Sequence, residues 1–147
     1  FISPNLGVEY AAFVTMKKNG ELRGCMGSTV ASNSLYQQVY ESGKLAASKD
    51  PRFDQISLEE LEDIDFEITI LSRFKRIYSP EDVEIGKDGI YLRVGRNSGI
   101  FLPQVATENE WDRRTFLQMI GRKAGLSSDA YLEPNAQLYK FRAIIIK

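Results

Sequence analysis

The sequence contains no histidine and a single cysteine, Cys25. Without histidine, the Ser-His-Asp and Cys-His catalytic arrangements cannot form within this chain. One cysteine also cannot complete the ligand set of a structural zinc site, and an iron–sulfur cluster needs several cysteines. We therefore expect neither a metal site nor a cofactor in this chain. Any chemistry must use Cys25, carboxylates, lysine, arginine, tyrosine or groups of a partner.

The sequence also lacks an excess of either charge, because 19 Lys and Arg residues face 20 Asp and Glu residues. A nearly neutral chain has no general electrostatic attraction to nucleic acid or to anionic membranes. No run of about 18 apolar residues is present, so a membrane-spanning helix is not expected. A single cysteine rules out an internal disulfide and is typical of a reducing compartment, and we expect a cytoplasmic protein.

The strongest local signal is a β-hairpin centred on Asn19-Gly20. This pair suits the two central positions of a type I′ turn, which require positive φ. The turn predicts two antiparallel strands, Val8–Met16 and Glu21–Ser28.

Regular alternation of side chains would divide the second strand into two faces. Leu22 and Met26 would point to a core, while Arg23 and Cys25 would share the opposite face. A guanidinium beside a thiol favours the thiolate, so this arrangement indicates a reactive site. A free cysteine is also a common small core residue, and spacing alone favours that second interpretation.

Gly24 and Gly27 flank Cys25. Because glycine has no Cβ, these positions would let another backbone or a ligand come close. Gly24–Gly27 also fits the Gly-x-x-Gly loop of nucleic-acid-binding domains. Four residues are a weak signal for that class, however, and the preceding segment is predicted to be a strand.

Two helices and several short strands follow the hairpin. The first helix begins near Ser34 and ends at Asp50-Pro51, because the residue before proline avoids the α region. Its predicted apolar stripe is Leu35, Val39, Tyr40, Gly43, Ala46 and Ala47. The second helix spans Asn109–Ala124, with Gly125 as the left-handed residue that ends it.

The remaining strands are mostly connected by turns, so the sequence predicts an α+β fold with a mainly antiparallel sheet. Pro103 is expected at the end or edge of a strand, since proline cannot donate to a strand ladder. A single helical turn is predicted at Ser57–Glu60 from its capping-box spacing. The predicted strands are Phe66–Arg73, Val83–Gly86, Ile90–Val94, Ile100–Leu102 and Leu138–Ile146, the last with both faces covered at its end.

Asp50 and Arg52 permit two interpretations. Asp50 could simply end the helix and be followed by a solvated arginine, and local spacing favours this. Alternatively, Asp50 could hold Arg52 in an orientation that binds a carboxylate or phosphate.

Five sequence segments occur in an order typical of one protein family. They are Leu22–Gly27 (LRGCMG), Asp50–Phe53 (DPRF), Leu102–Val105 (LPQV), Trp111-Asp112 and Lys123–Leu126 (KAGL). In these segments the sequence resembles the AMMECR domain family, whose bacterial and archaeal members are called AmmeMemoRadiSam system protein A. The resemblance extends from about Tyr10 to Phe141.

The resemblance implies a single AMMECR-type domain over residues 1–147, with two lobes and the motif residues around a cleft. Because the sequence begins with phenylalanine, we expect that an upstream N-terminal segment is missing. The family name implies partners of the Memo type and of the radical S-adenosylmethionine type, and it assigns no reaction. The site positions carried over are Arg23, Gly24, Cys25, Gly27, Asp50, Arg52, Pro103, Gln104 and Lys123.

Two positions depart from the family pattern. Members often carry a histidine where this chain has Asp88 and a second cysteine where it has Gly121. Neither a histidine nor a cysteine at these positions is therefore essential to a function that this chain shares with them.

Three functional hypotheses follow from these observations. In the first, the chain is a ligand- or partner-binding component of a multi-protein modification system. In the second, it is an enzyme that uses Cys25 as nucleophile or carrier, activated by Arg23 and backbone N–H groups. In the third, which the charge balance disfavours, it is a nucleic-acid-associated domain.

Overall fold

The chain divides into two structural units in the computed structural model, which describes Gly7 and residues 9–147. The first unit comprises the described residues up to Ser72 together with Ile144–Lys147, and the second comprises Arg73–Ala143. The strands are β1 (Ala11–Lys18), β2 (Glu21–Ser28), β3 (Ile64–Leu71), β4 (Lys75–Ile77), β5 (Gly89–Val94), β6 (Asn97–Phe101), β7 (Ala136–Phe141) and β8 (Ala143–Ile146). The α-helices are α1 (Leu35–Ser48), α2 (Pro103–Glu108) and α3 (Arg113–Lys123), and short 3₁₀ segments lie at Glu59–Asp63, Pro80–Asp82 and Ala130–Leu132.

The first unit contains a four-stranded sheet in the order β2-β1-β3-β8, with α1 packed against β1 and β2. The predicted hairpin is confirmed, since β1 and β2 pair antiparallel across a turn in which Asn19 has φ 53° and Gly20 has φ 80°. The predicted start of the first strand at Val8 lies outside the described residues, and β1 begins at Ala11.

A β-bulge interrupts the pairing of β2 with β1. Met16 pairs with Gly24, but Lys17 pairs with Leu22, so Arg23 is an extra residue in β2. An extra residue shifts the alternation of side chains on the bulged strand. Met26 packs against the core as predicted, whereas the prediction for Leu22 is wrong, because this side chain is 42% exposed.

Helix α1 buries Leu35 and Ala46 of the predicted stripe, but two polar residues are buried with them. Its buried residues include Gln38 and Ser42, and Gln38 Nε2 donates to Ser42 Oγ over 2.8 Å. This bond lets two polar side chains occupy the buried face. Tyr40 is 64% exposed, so its assignment to the buried stripe is wrong.

The second unit contains a four-stranded sheet in the order β4-β7-β5-β6, covered by α3. Together with the first sheet this confirms the antiparallel α+β fold. The core of the second unit includes Ile90, Leu92, Phe116, Leu117, Ile120 and Leu138. The turn after α3 forms as predicted, with Gly125 at φ 78° and with Leu126 N–H donating to Gly121 O over 2.9 Å.

Pro103 begins a helix, and the prediction that it ends a strand is wrong. It occupies the first turn of α2, where the missing N–H of proline costs nothing. The helix predicted from Asn109 begins later, at Arg113, because the Asp112 side chain accepts the N–H of Thr115 and caps α3.

Two strand predictions also fail. Residues 83–86 do not form a strand, because Glu84 N–H donates to the Asp88 side chain and the segment turns. The tail predicted as one strand is two, β7 and β8, in different sheets. The expected cover over its end is absent from the described residues, since Ile145 is 39% and Ile146 44% exposed.

Candidate functional site

The candidate site of the first unit lies along β2, which is an edge strand of its sheet. The backbone N–H of Cys25 donates to Asp50 Oδ2 over 3.0 Å. An edge strand presents unpaired N–H and C=O groups on its outer side. Asp50, in the loop after α1, therefore satisfies a donor of β2 at the position of the only cysteine.

Asp50 also fixes Arg52. Arg52 Nε donates to Oδ1 over 3.0 Å, Nη2 donates to Oδ2 over 2.7 Å, and the Arg52 backbone N–H donates to Oδ1 over 3.0 Å. The second of the two interpretations drawn from the sequence, an Asp50 that orients Arg52, is thus the arrangement in the structure. These hydrogen bonds, the Arg52 side chain first, hold the pKa of Asp50 well below its usual range, against the opposing effect of burial.

Arg52 presents its guanidinium to solvent while Asp50 holds it. The Arg52 side chain is 55% exposed, whereas that of Asp50 is 2% exposed. The pKa of Arg52 is raised, mainly by its hydrogen bond to Asp50 and also by the charges of Asp50 and of Cys25. We call the Arg52 guanidinium and the Asp50 carboxylate that holds it the Asp50-Arg52 fork. Beside this fork, the centre of the Phe53 ring lies 5.5 Å from Arg52 Cζ. The result is an oriented cation on the surface, held by the same carboxylate that accepts the Cys25 backbone N–H.

Cys25 is partly buried, and among the described residues one side chain lies within hydrogen-bonding distance of its thiol. Its Sγ lies 3.3 Å from Thr15 Oγ1 on β1, and either atom can be the donor. Thr15 and Cys25 are directly opposite each other in the hairpin register. The hydroxyl supplies a hydrogen bond that a purely apolar pocket would not give to sulfur.

Arg23 does not serve Cys25 in the way that the sequence predicted. Its Nε and Nη2 donate to the two Glu60 carboxylate oxygens over 3.2 and 3.1 Å, and its Nη1 donates to Asp54 O over 2.8 Å. This bidentate pair is a strong, geometrically specific contact. Arg23 therefore holds the segment after α1 against the bulge of β2, and Arg52 is the cation that shares the Asp50 carboxylate with the Cys25 backbone.

Glu60 is the second carboxylate, after Asp50, that accepts several hydrogen bonds beside β2. The predicted capping box forms, since Ser57 N–H donates to Glu60 Oε2 over 3.0 Å and Glu60 N–H donates to Ser57 Oγ over 3.3 Å. Lys18 Nζ also donates to Glu60 Oε1 over 3.2 Å. The hydrogen bonds from the Ser57 backbone, Arg23 and Lys18 lower the pKa of Glu60 to about 2.

Gly24 and Gly27 admit neighbouring backbone, one of the two roles that the sequence suggested. A Cβ at Gly24 would lie 2.5 Å from the carbonyl oxygen of Ala46 in α1. A Cβ at Gly27 would clash with the carbonyl oxygen of Ala12 on β1. Both glycines thus set the close packing around Cys25.

The second unit holds the other three predicted site residues. Pro103 is buried and Gln104 partly buried in the first turn of α2. Lys123, at the end of α3, donates from Nζ to Ile100 O over 2.7 Å and lies 4.7 Å from the centre of the Phe101 ring. Lys123 is exposed overall, and partial burial against its neighbours lowers the pKa of this amine.

The two positions that depart from the family pattern are structural here. Asp88 is buried, and its carboxylate accepts from Arg142 Nε over 2.7 Å and from Glu84 N–H over 2.9 Å. A Cβ at Gly121 would clash with the carbonyl oxygen of Ser127. A side chain at 121 therefore requires that the turn after α3 shifts.

Sequence reasoning missed Thr15 and Glu60 as members of this site. Glu60 was visible only as the capping partner of Ser57, while its partner Arg23 is 37 positions away. Thr15 lies opposite Cys25 only because of the bulge, since the regular register of the Asn19-Gly20 turn would place Gly24 opposite Thr15.

Among the described residues, no group of three or more His, Cys, Asp or Glu side chains is placed to hold a metal ion. Within the same part of the chain, no helix is long and apolar enough to cross a membrane.

Comparison with known proteins places the chain in a family. A family model described as AMMECR1 matches residues 2–146. A protein of Methanosarcina acetivorans is 40% identical over 99% of this chain and 75% of its own length, and protein NEQ441 of Nanoarchaeum equitans is 37% identical over 99% and 85%. The crystal structure of the uncharacterized protein PH0010 from Pyrococcus horikoshii matches with a TM-score of 0.87 and 31% identity, over 98% of this chain and 79% of that one. These matches confirm the resemblance seen in the sequence, and the chain belongs to the AMMECR1 family.

Proposed function

We propose that this chain is the ligand- or partner-binding component of a cytoplasmic multi-protein modification system that includes Memo-type and radical S-adenosylmethionine proteins. In this proposal the chain contributes recognition, and the Asp50-Arg52 fork beside Cys25 is the recognition site. The partners are named by the family resemblance, and the geometry of Arg52 supports the binding role.

The observation that carries the proposal is the oriented, half-exposed guanidinium of Arg52. The Asp50 carboxylate accepts hydrogen bonds from Arg52 Nε and from one N–H of Arg52 Nη2. The other Arg52 side-chain N–H groups have no hydrogen-bond partner among the residues that the structure describes. An arginine held in one orientation loses little conformational freedom when it binds a second acceptor. The fork is thus prepared for a planar acceptor such as a carboxylate.

The proposed ligand offers oxygen acceptors, and bulk charge has little part in its recognition. Asp50 is ionised and offsets the charge of Arg52, while Glu60 offsets that of Arg23. A site of paired charges gives weak long-range attraction but retains directional hydrogen bonding. Binding should therefore depend on the geometry of the guanidinium and only modestly on salt.

The test compares two variants that remove one positive charge each from the same loop region. Arg52→Gln removes the fork, and Lys49→Gln removes an exposed charge just after α1. We expect Arg52→Gln to weaken binding of the purified Memo-type or radical S-adenosylmethionine partner by about tenfold or more, the effect of one charged hydrogen-bonded contact. Biolayer interferometry measures the affinities, and circular dichroism checks that both variants are folded.

Lys49→Gln should bind within about twofold of the unmodified chain, because its charge is outside the fork. Two outcomes contradict the proposal. One is that neither partner binds the unmodified chain, and the other is that Arg52→Gln binds as well as Lys49→Gln.

A second candidate function, a cysteine-dependent enzyme, is favoured by Asp50, whose Oδ2 accepts from both the Cys25 backbone N–H and Arg52 Nη2. A thiolate is the nucleophilic form of cysteine, and an adjacent cation stabilises it. Thr15 Oγ1, at 3.3 Å, can donate to the sulfur in that form.

Iodoacetamide alkylation separates this second candidate from the first. If Cys25 is a nucleophile, Arg52→Gln should slow its alkylation near neutral pH, whereas Arg23→Gln should not, because Arg23 is engaged by Glu60 and Asp54. Equal rates in both variants and in the unmodified chain would leave the enzyme candidate without support.

A further inference from the structure

A cavity in the second unit, distinct from the Cys25 region, is lined by an arginine that forms no ion pair with any described residue. The cavity has a volume of about 260 Å³ and lies beside β4, one of the two edge strands of the second sheet. Its walls include Arg76, Tyr78, Tyr131, Leu132, Pro134 and the exposed acid Glu133, which forms no ion pair with Arg76 among the described residues. All of these residues belong to the second unit.

Arg76 is packed between aromatic rings. Its Cζ lies 5.0 Å from the centre of the Tyr78 ring and 5.6 Å from that of Tyr139, which is directly opposite it in the β4–β7 register. Such contacts stabilise a guanidinium through the ring quadrupole. They provide no hydrogen-bond acceptor in the plane of the guanidinium.

The hydrogen bonds of Arg76 are incomplete. Nη2 donates to Ala136 O over 3.4 Å, which is long for a charged donor. Nε is buried and has no hydrogen-bond partner in the structure. No carboxylate forms an ion pair with Arg76 within the described part of the chain. A partly buried cation in this condition is costly unless an anion completes it.

The walls of the cavity indicate the rest of the ligand. Tyr78 is 86% exposed and Leu132 is 61% exposed, so flat and apolar surfaces border the opening. Aromatic side chains of this kind stack on planar rings. The volume is below the range of about 300–1,000 Å³ that is typical of drug-sized ligands, and it suits a single ring.

From these observations we propose that the cavity beside β4 binds a small carboxylate carried on an aromatic or other flat apolar body. The carboxylate pairs with the Arg76 guanidinium, and the body packs against Tyr78 and Tyr131. This site goes beyond the proposed function, because it uses neither Cys25 nor the Asp50-Arg52 fork.

The test uses benzoate as the probe and benzamide as its uncharged counterpart. Nitrogen-15 NMR of the arginine side chains follows the Nε–H signal of Arg76 during each titration. We expect a saturable shift of this signal with benzoate. Benzamide should bind at least about tenfold more weakly than benzoate, because the planar anion is the matched partner of a guanidinium.

Two variants assign the effect. Arg76→Gln should abolish the shifts of the Tyr78 and Tyr131 ring signals, whereas Arg93→Gln should leave them unchanged. Arg93 is the matched control, because it is an exposed arginine on β5 of the same sheet and donates to Gly95 O. The proposal is overturned if the Arg76 signal does not saturate with benzoate, if benzamide binds equally well, or if Arg93→Gln is as damaging as Arg76→Gln. Should Arg76→Gln not fold, the two titrations of the unmodified chain still decide the question.

Discussion

The backbone N–H of Cys25 and the carboxylate of Asp50 are joined by a 3.0 Å hydrogen bond. This bond connects the outer side of β2 to the loop after α1, and the same carboxylate orients Arg52. One buried acid therefore supports both the edge strand and the exposed cation of the proposed recognition site.

Asp50→Asn should destabilise the first unit more than Asp54→Asn does. An asparagine keeps one oxygen acceptor but loses the charge that binds Arg52, and it leaves donors of Arg52 or Cys25 unsatisfied. Asp54 is the control, because its side chain is exposed and its backbone carbonyl is the group that Arg23 uses. Thermal melting followed by circular dichroism measures the difference. Equal melting temperatures in the two variants would show that the fork does not support the fold.

Acid should remove the contribution of Glu60 to stability within a defined pH range. Its pKa falls from 4.5 to about 2 in the folded chain, so the folded state favours the ionised form. The stabilisation is present above the unfolded pKa and is lost as pH falls through the folded one. Urea unfolding at a series of pH values between these limits measures the free energy of unfolding of each variant. As the pH is lowered, this free energy should fall less in Glu60→Gln than in Glu59→Gln, where Glu59 is an exposed acid of the same turn.

The profile of Glu60→Gln should still slope, because Asp50 loses its own contribution at lower pH. If Glu60→Gln and Glu59→Gln have the same pH dependence, the Arg23 and Ser57 contacts do not influence stability.

Gly24→Ala and Gly43→Ala should act in opposite directions. At Gly24 a methyl group meets the Ala46 carbonyl at 2.5 Å and Met16 Cε at 3.0 Å, so overpacking should cost about 1–3 kcal/mol. At Gly43, in the interior of α1, an added Cβ meets nothing within 4 Å, and alanine should stabilise by about 0.4–1 kcal/mol. Urea denaturation measures both changes in the free energy of unfolding. A stable Gly24→Ala variant would mean that β2 and α1 are not as closely packed as described.

Lys123 should lose its proton at a lower pH than a lysine without such partial burial, although the residue is exposed overall. Its pKa is lowered from 10.5 by burial over the Phe101 ring. Competitive acetylation at a series of pH values, with Lys49 as the internal reference, measures the midpoint for each amine by mass spectrometry. A Lys123 midpoint at or above 10.5 would contradict the described environment.

Local sequence signals predicted those elements whose determinants are close together along the chain. The Asn19-Gly20 turn, the Ser57–Glu60 capping box and the Gly125 helix end each depend on residues within one turn of structure. The pairing of Asp50 with Arg52 also lies within two residues, and the sequence raised it as an alternative. These predictions succeeded or came close because backbone geometry and side-chain reach are local properties.

The errors arose where distant residues decide the structure. Nothing near Arg23 in sequence indicates that it is bulged out of the ladder and paired with Glu60. Pro103 suits a strand end and a first helical turn equally, and only the packing of α2 in the second unit distinguishes them. The candidate site was predicted by resemblance to a family, while its internal partners could be assigned only from the folded chain.

The membership of β8 in the first sheet has a consequence for synthesis of the protein on the ribosome. Strand β8 is the neighbour of β3 in the sheet order, yet Arg73–Ala143 of the second unit are translated between them. During that interval a nascent chain carries β3 with one edge unpaired, and exposed strand edges are sites of misassociation during folding. Completion of the first sheet must therefore wait until β8 has been translated, after the whole of the second unit.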